Sequence, residues 1–283
     1  MWSDSPVRVE HAELSGSELR DLRAVSARVA TEAAELVRTR RVTGVGDVDT
    51  KSSETDVVTE TDRAAERLVR DRLAELRPGE PVLGEEEGGG DDSAGAGLCW
   101  VVDPIDGTVN FLYGFPWYAV SVAAQVDGVS VAGAVVEPPS GRVWTAARGL
   151  GAELDGRPLR ASAATRLETA LVATGFGYQA ARRQRQAAAV AELLFRVRDI
   201  RRAGAASLDL CAVAAGWLDG YVEQGLHRWD WAAGALIAEE AGAVVRLPGT
   251  DPEGIGAHTL MAAAPGVATE LRTALVECGF GGL

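Results

Sequence analysis

The apolar residues of this chain change their spacing twice, and those changes constrain the fold more than any motif does. Over residues 16–41, GSELRDLRAVSARVATEAAELVRTRR, the positions Leu19, Leu22, Val25, Val29, Ala33, Leu36 and Val37 fall at helical spacing, which predicts one long amphipathic helix. A polar stretch follows, TGVGDVDTKSSETD. A second helix is expected to begin near Thr59, with Ala65, Leu68, Val69, Leu73 and Leu76 on one face, and to stop at Arg77-Pro78. From 81 to about 154 the pattern becomes short apolar runs: PVLG, LCWVV, YAVSVAAQV, VSVAGAVVE, RVWTAA and GAEL. Asp127-Gly128 and Pro138-Pro139-Ser140-Gly141 punctuate them, and together they predict an antiparallel meander.

After about residue 155, strands and helices alternate: TALVATG, a helix near 180–195, VRDIRR, a helix near 206–216, DGYVEQ, a helix near 230–241, AVVRL, TLMAAA and a last helix from about 266. The expected organisation is a loose tail over 1–15, an N-terminal α+β lobe over 16–154 and a C-terminal α/β lobe over 155–283. EEEGGGDDSAGAG is expected to be a mobile surface loop. Its glycines precede a strand instead of opening a helix, so they do not form a dinucleotide fingerprint.

Composition narrows the class. The 283 residues are 47% hydrophobic and 24% charged, the balance of a folded enzyme-sized protein. The formal charge of −13, from 41 acids against 28 bases, argues against a broad basic face for nucleic acid or anionic lipid. Cys99, Cys211 and Cys278 show no zinc-type spacing and are expected to be reduced and buried. MWSDSPVRVEHAEL lacks a signal-peptide pattern, and there is no long apolar run, so a cytoplasmic location without membrane insertion is expected.

Acidic residues then mark one region. In WVVDPIDGTVNF, Asp103 and Asp106 sit where a strand ends, and Pro104 stiffens the turn between them. Gly107 and Thr108 follow where a short helix could offer free N–H groups to an anion. Helix capping by Asp106 explains the same residues equally well. Glu85 and Glu86 follow the apolar PVL. Asp230 lies between Trp229 and Trp231 at the start of a helix, where it is either an N-cap or a carboxylate that needs a cation. Thr59 and Asp62 resemble a capping box. Lys51 stands among six acids between 47 and 62, as a solvated lysine or as a balancing charge.

Taken together and in this order, KSSETDVVTETD, GEE, WVVDPIDGTVNF and GYVEQGLHRWDWAAGALIAEEAGA resemble the inositol monophosphatase family over about residues 16–280. The resemblance implies a layered αβαβα sandwich of the sugar-phosphatase type, usually a homodimer, that hydrolyses a small phosphorylated polyol with two or three Mg²⁺ ions and is inhibited by Li⁺. Carried over by position, Glu85, Asp103 and the carbonyl of Ile105 would hold one metal, and Asp103, Asp106 and Asp230 a second. Glu85 would also position the attacking water, Thr108 and Asp62 would take its proton, and Lys51 and Glu86 would stand behind them. Asp106, Gly107, Thr108 and Asp230 would face the substrate, with Glu223 and the backbone at Gly204, Ala205 and Ala206 beside its ring. Ala205 departs from the family's Gly-[Ser/Thr]-Ala pattern and removes one hydroxyl.

The implied reaction is conversion of myo-inositol 1-phosphate to myo-inositol and phosphate without a covalent intermediate. The alternatives are histidinol phosphate or another sugar phosphate as substrate, or a non-catalytic regulatory protein on this fold. A haloacid-type phosphatase would need DxDx[TV] where this chain has DxxD. A calcium loop fails because Lys51 breaks its ligand pattern. His11, His227 and His258 have no partners for histidine chemistry. Arg182, Arg183, Arg185, Arg201 and Arg202 could steer a phosphate or merely solvate helix faces.

Overall fold

Ser15 secures the start of the first helix. Its hydroxyl accepts from Glu18 N at 3.3 Å while the Glu18 carboxylate accepts from Ser15 N at 2.7 Å, the reciprocal capping that satisfies two otherwise orphaned donors. The helix α1, Gly16–Thr43, buries Leu22, Val29, Ala33 and Val37 along one stripe. Thr59 and Asp62 cap α2, Glu60–Leu76, in the same way, and the helix ends ahead of Pro78. The computed structural model describes residues 14–44, 48–50, 57–88 and 97–282, so most of the expected tail and the run from 89 to 96 lie outside the described residues. In the stretch expected to be a polar connection, β1, Val48–Thr50, pairs antiparallel with β2, Val57–Thr59. Three residues per strand are too few to show an alternation in sequence.

The first sheet has seven strands in chain order: β3, Val82–Gly84; β4, Leu98–Asp106; β5, Ala119–Val126; β6, Val129–Val136; β7, Val143–Ala147; β8, Gly151–Leu154; and β9, Arg157–Pro158. From β4 onward every pair is antiparallel. The expected meander therefore holds from β4 but not from residue 81, because β3 runs parallel to β4, with Val82 opposite Trp100. An apolar run tells which face is buried, not which way the strand points.

The second sheet comprises β10, Leu171–Thr174; β11, Asp199–Arg201; β12, Gly220–Gln224; β13, Val244–Arg246; and β14, Thr259–Ala263, in the order β11-β10-β12-β14-β13. β10, β11 and β12 are parallel, so their connections cross over through α4, Ala180–Leu194, and α5, Ala206–Ala214. The remaining helices are α3, Thr108–Tyr113; α6, Arg228–Glu240; and α7, Ala268–Glu277.

Strand alternation assigns each face its layer. Trp100, Val102, Val120 and Val122 pack on α1 and α2, whereas Val101, Ala119 and Ala123 pack on α5 and α6. Across those helices, Leu210, Val213 and Ala235 meet Ala173, Tyr221 and Leu260 of the second sheet. The outer face of that sheet, through Val172, Val222 and Met261, packs against Leu193 of α4 and Leu271 of α7. Four hydrophobic interfaces separate five layers, which makes the fold a layered αβαβα sandwich. Every residue of α5 is buried, as expected of a helix sandwiched between two sheets.

Cys211 and Cys278 are buried and Cys99 half-buried, all as free thiols. Among the described residues, no helix is long and apolar enough to cross a membrane.

Leu210 is fully buried where α5 meets the second sheet, so Leu210→Ala is expected to lower unfolding stability by about 2–5 kcal/mol. Urea denaturation measures this. The same truncation at exposed Val42 should stay within about 0.5 kcal/mol.

Candidate active site

β4 ends where its ladder breaks. Pro104 has no N–H to offer β5, and the pairing jumps from Asp103 opposite Ser121 to Asp106 opposite Ala119. In the bulge, Ile105 N donates to Asp103 Oδ1 at 3.0 Å. Gly107 then takes φ +89°, and a Cβ there would also stand 3.1 Å from Trp117 O and 3.2 Å from Gly204 O. Glycine is therefore required for both conformation and space. Asn110 on α3 donates to Trp117 O at 2.7 Å and to Ala203 O at 2.9 Å, which ties the turn to the loop ahead of α5.

Asp106 reaches across to that helix. Its carboxylate accepts from Ala206 N at 3.1 Å and Ser207 N at 2.7 Å, and from the Ser207 hydroxyl. Ala205 occupies the N-cap position and supplies no side-chain cap, so a strand 100 residues earlier caps α5 in its place. Asp106 thus does cap a helix, but α5 and not α3. The Ala205 side chain is buried among Leu208, Ala232 and Ala233. A hydroxyl at that position would belong to the cap of α5.

The turn that carries Glu85 is held from α2. Buried Glu66 accepts from Glu86 N at 2.7 Å and Glu87 N at 3.1 Å, and its charge is met by Arg70 at 2.8 Å. A side chain at Gly84 would overlap the Glu66 carboxylate. Asp62, fully buried, is fixed by Thr59 N at 2.8 Å and by the Thr59 hydroxyl. The Thr108 hydroxyl lies 3.2 Å from Asp62 Oδ1 and 3.1 Å from Ile105 O, so one proton faces two acceptors. Asp230 accepts from His227 N at the start of α6, and His227 stacks on Trp229 at 5.0 Å. Glu223 accepts from Tyr221 OH at 2.7 Å.

These side chains share one cleft of about 340 Å³, lined by Glu85, Asp103, Ile105, Asp106, Gly107, Thr108, Gly204, Ala206, Glu223 and Asp230. Asp62 stands behind Thr108, and Ala205 stands behind Ala206. Lys51 lies outside the described residues. The residues that sequence reasoning missed are Glu66, Asn110, Ser207 and Tyr221. Glu66 was detectable, because it is an acid one turn from Val69 and two turns from Leu73 on the apolar face of α2. Tyr221 was detectable as the same-face neighbour of Glu223 on a strand. Ser207 and Asn110 gave no sequence signal.

Burial pushes Asp103 well above the ordinary carboxylate range, and neighbouring Glu85, Asp106 and Asp230 push it further. Burial and then Glu85 and Asp106 do the same to Asp230. Asp106 rises to about 6 by burial, against the lowering effect of its bonds to Ser207 and Ala206. Burial raises Glu223 to about 7. Among the described residues, no group of three or more His, Cys, Asp or Glu stands close enough together to hold a metal ion as placed. The donors are nevertheless hard oxygens, carboxylates and a carbonyl, the chemistry that suits Mg²⁺. Carboxylates that raise one another in this way are also what a dication stabilises.

Comparison with known proteins agrees with this geometry. The profile of the inositol monophosphatase family matches residues 18–279. The inositol-1-monophosphatase of Mycobacterium leprae is 55% identical over 270 residues, covering 90% of this chain and 93% of that protein. The solved structure of Mycobacterium tuberculosis SuhB superposes with a TM-score of 0.78 at 47% identity, over 92% of this chain and 97% of that one. A Pseudomonas aeruginosa relative named Nus factor SuhB is 42% identical over 229 residues, covering 78% of this chain and 83% of its own.

The shift of Asp106 from 3.8 to about 6 means that the folded protein keeps a proton that the unfolded chain loses between those values. Stability should therefore fall as pH rises through that window. A dication among the carboxylates offsets the loss. Mg²⁺ is expected to raise the melting temperature of EDTA-treated protein more at about pH 7.5 than at about pH 4.5, as scanning fluorimetry would show. Equal shifts at both values would remove these carboxylates as the ion's ligands.

Proposed function

This chain belongs to the inositol monophosphatase family and is a phosphomonoesterase; on that premise we propose that it converts myo-inositol 1-phosphate to myo-inositol and phosphate. The observation that carries the reading is the convergence of Glu85, Asp103, Ile105 O, Asp106 and Asp230 on the cleft that also holds Thr108 and Glu223. Glu85, Asp103 and Ile105 O would hold one Mg²⁺, and Asp103, Asp106 and Asp230 a second. When bound, such ions polarise phosphoryl oxygens and lower the pKa of water.

The chain's own groups handle the proton and the orientation. Thr108 is placed to accept a hydrogen bond from the attacking water while it donates to Asp62, 3.2 Å away. Asp62 is buried and pinned at its other oxygen by Thr59, so it is aimed at Thr108 and cannot drift into the cleft. Water oxygen forms the new P–O bond as the P–O bond to the alcohol breaks; one water proton passes through Thr108 toward Asp62, the other stays on the phosphate, and the leaving oxygen takes a proton from solvent water to become the alcohol. Gly107 and Thr108 present backbone to the phosphate, and Glu223 accepts from ring hydroxyls.

Inositol is favoured over histidinol because Arg182 and Arg202 line the same cleft and repel a cationic amine or imidazole but tolerate neutral hydroxyls. A regulatory reading draws on the relative named Nus factor SuhB, and turnover separates the two.

Purified protein with Mg²⁺ is expected to release phosphate from inositol 1-phosphate, with EDTA or Asp103→Asn abolishing release. Thr108→Ala should lower kcat by about 10²-fold. Absence of release from any phosphomonoester in a panel would overturn the proposal, and a higher kcat/KM for histidinol phosphate would transfer it to that substrate. Li⁺ should inhibit through the Asp103, Asp106 and Asp230 site. Full activity in Li⁺, read in the same assay, would exclude that site for it.

A further inference from the structure

A helix start favours anions and a helix end favours cations, yet α6 opens on Arg228 and closes on Glu239 and Glu240. The acids at its end are met from the first sheet. Arg148 pairs with Glu239 at 3.1 Å, and Glu240 accepts from Gly149 N and Gly151 N, both at 2.8 Å. At the helix start, Arg228 Nε donates to Gln125 Oε1 at 2.5 Å, while its Nη2 is buried without a hydrogen-bond partner. Stability alone does not account for a cation kept there against the dipole and against its own desolvation.

A bulge aims Gln125 and Ser130 at that helix. Gln125 is fully buried near the end of β5, on the strand face that Ala119 and Ala123 turn to α5 and α6. The register of β5 with β6 shifts here, so that Ala124 lies opposite Ala132 but Gln125 opposite Ser130. Val131 and Ala132 consequently both pack on the α1 and α2 side, and Ser130 turns to the α6 side. Both ends of the Gln125 amide are used. Its Oε1 takes the Arg228 bond, and its Nε2 donates to Ser130 Oγ at 3.0 Å, which donates in turn to Ala232 O at 2.8 Å. Arg148 Nε donates to Ser130 O at 2.9 Å. One hairpin therefore grips the start of α6 at two points, a helical turn apart.

Successive helix residues are rotated by about 100°, so Arg228 and Asp230 project nearly opposite each other, about 200° apart around α6. Fixing Arg228 against the hairpin aims Asp230 into the cleft that Asp103 and Asp106 also line. We infer that Arg228, Gln125 and Ser130 are positioning residues for the second ion: their hydrogen bonds set the rotation of the α6 start and with it the placement of Asp230. None of the three lines the cleft itself. The inference rests on the reading of Asp230 as an ion ligand and is independent of which ester is the substrate.

The test titrates Mg²⁺ into EDTA-treated protein and reads the melting temperature, for the parent and for Q125L, Q125E, R228M, D230N, R228M/D230N and E239Q. Q125L and R228M are each expected to raise the half-maximal Mg²⁺ concentration by about tenfold, the usual effect of removing a group that holds a ligand from behind. Q125E keeps an acceptor for Arg228 and should restore the parent's value. In the D230N background R228M should add nothing, because both changes act through one ligand. E239Q breaks the ion pair at the other end of α6 and should leave the concentration unchanged. The melting temperature before Mg²⁺ is added reports general loosening in the same experiment. Should Q125L or R228M fail to fold, S130A, which removes only the link to Ala232 O, is expected to give a smaller rise in the same direction. Variants that melt earlier without Mg²⁺ but keep the parent's half-maximal concentration would reduce these bonds to packing and overturn the inference, as would a further rise in R228M/D230N over D230N or an equal rise in E239Q. A parent that does not respond to Mg²⁺ counts against the ion ligands and this inference together, whereas a response indifferent to Gln125 and Arg228 counts against this inference alone.

Discussion

The bond between Asp106 and the start of α5 is the contact on which the rest of the structure depends. α5 is buried along its whole length between two sheets, so water cannot satisfy its first amides and a partner must come from the protein. Ala205 cannot serve, and the strand end of β4 does. The same carboxylate faces the cleft. Stacking of the layers and placement of a site residue are therefore one event, and a shift of α5 between the sheets would move Asp106 with it.

That arrangement concentrates negative charge where it is costly. Asp103, Asp106 and Asp230 sit in low-dielectric surroundings, and the negative charge of Glu85 raises all three. The protein holds them there by rigid means: a bulge stiffened by Pro104, the N-terminus of α6 and a turn clamped by Glu66 and Arg70. Rigidity allows hard cations to be met without further ordering of the chain. Arg182 and Arg202 bring positive charge to the same cleft.

Much of the architecture was legible in the sequence because burial alternates with a period that differs between helix and strand. The helices at 16–43 and 60–76, the strands from 98 to 154 and the alternation after 170 follow from that rule. What escaped it was direction and brevity: β3 runs parallel to β4, and β1 and β2 are three-residue strands. Among site residues, the acids of DPID, GEE and WDW stood out as polar groups breaking apolar runs. Ser207 and Asn110 did not, since a serine in a helix and an asparagine after a turn are unremarkable until their partners, 101 and 93 residues away, are known.

The sequence by itself determined which elements form, which faces they bury and which carboxylates must be compensated, because each depends on residue type and local spacing. Only the tertiary structure decided that Asp106 caps α5, that Asp62 stands behind Thr108, that Ala205 turns into the core, and that two arginines of five face the cleft. Each of those outcomes depends on distances between segments far apart in the chain. Such distances are set by how the layers pack, and no local pattern encodes them.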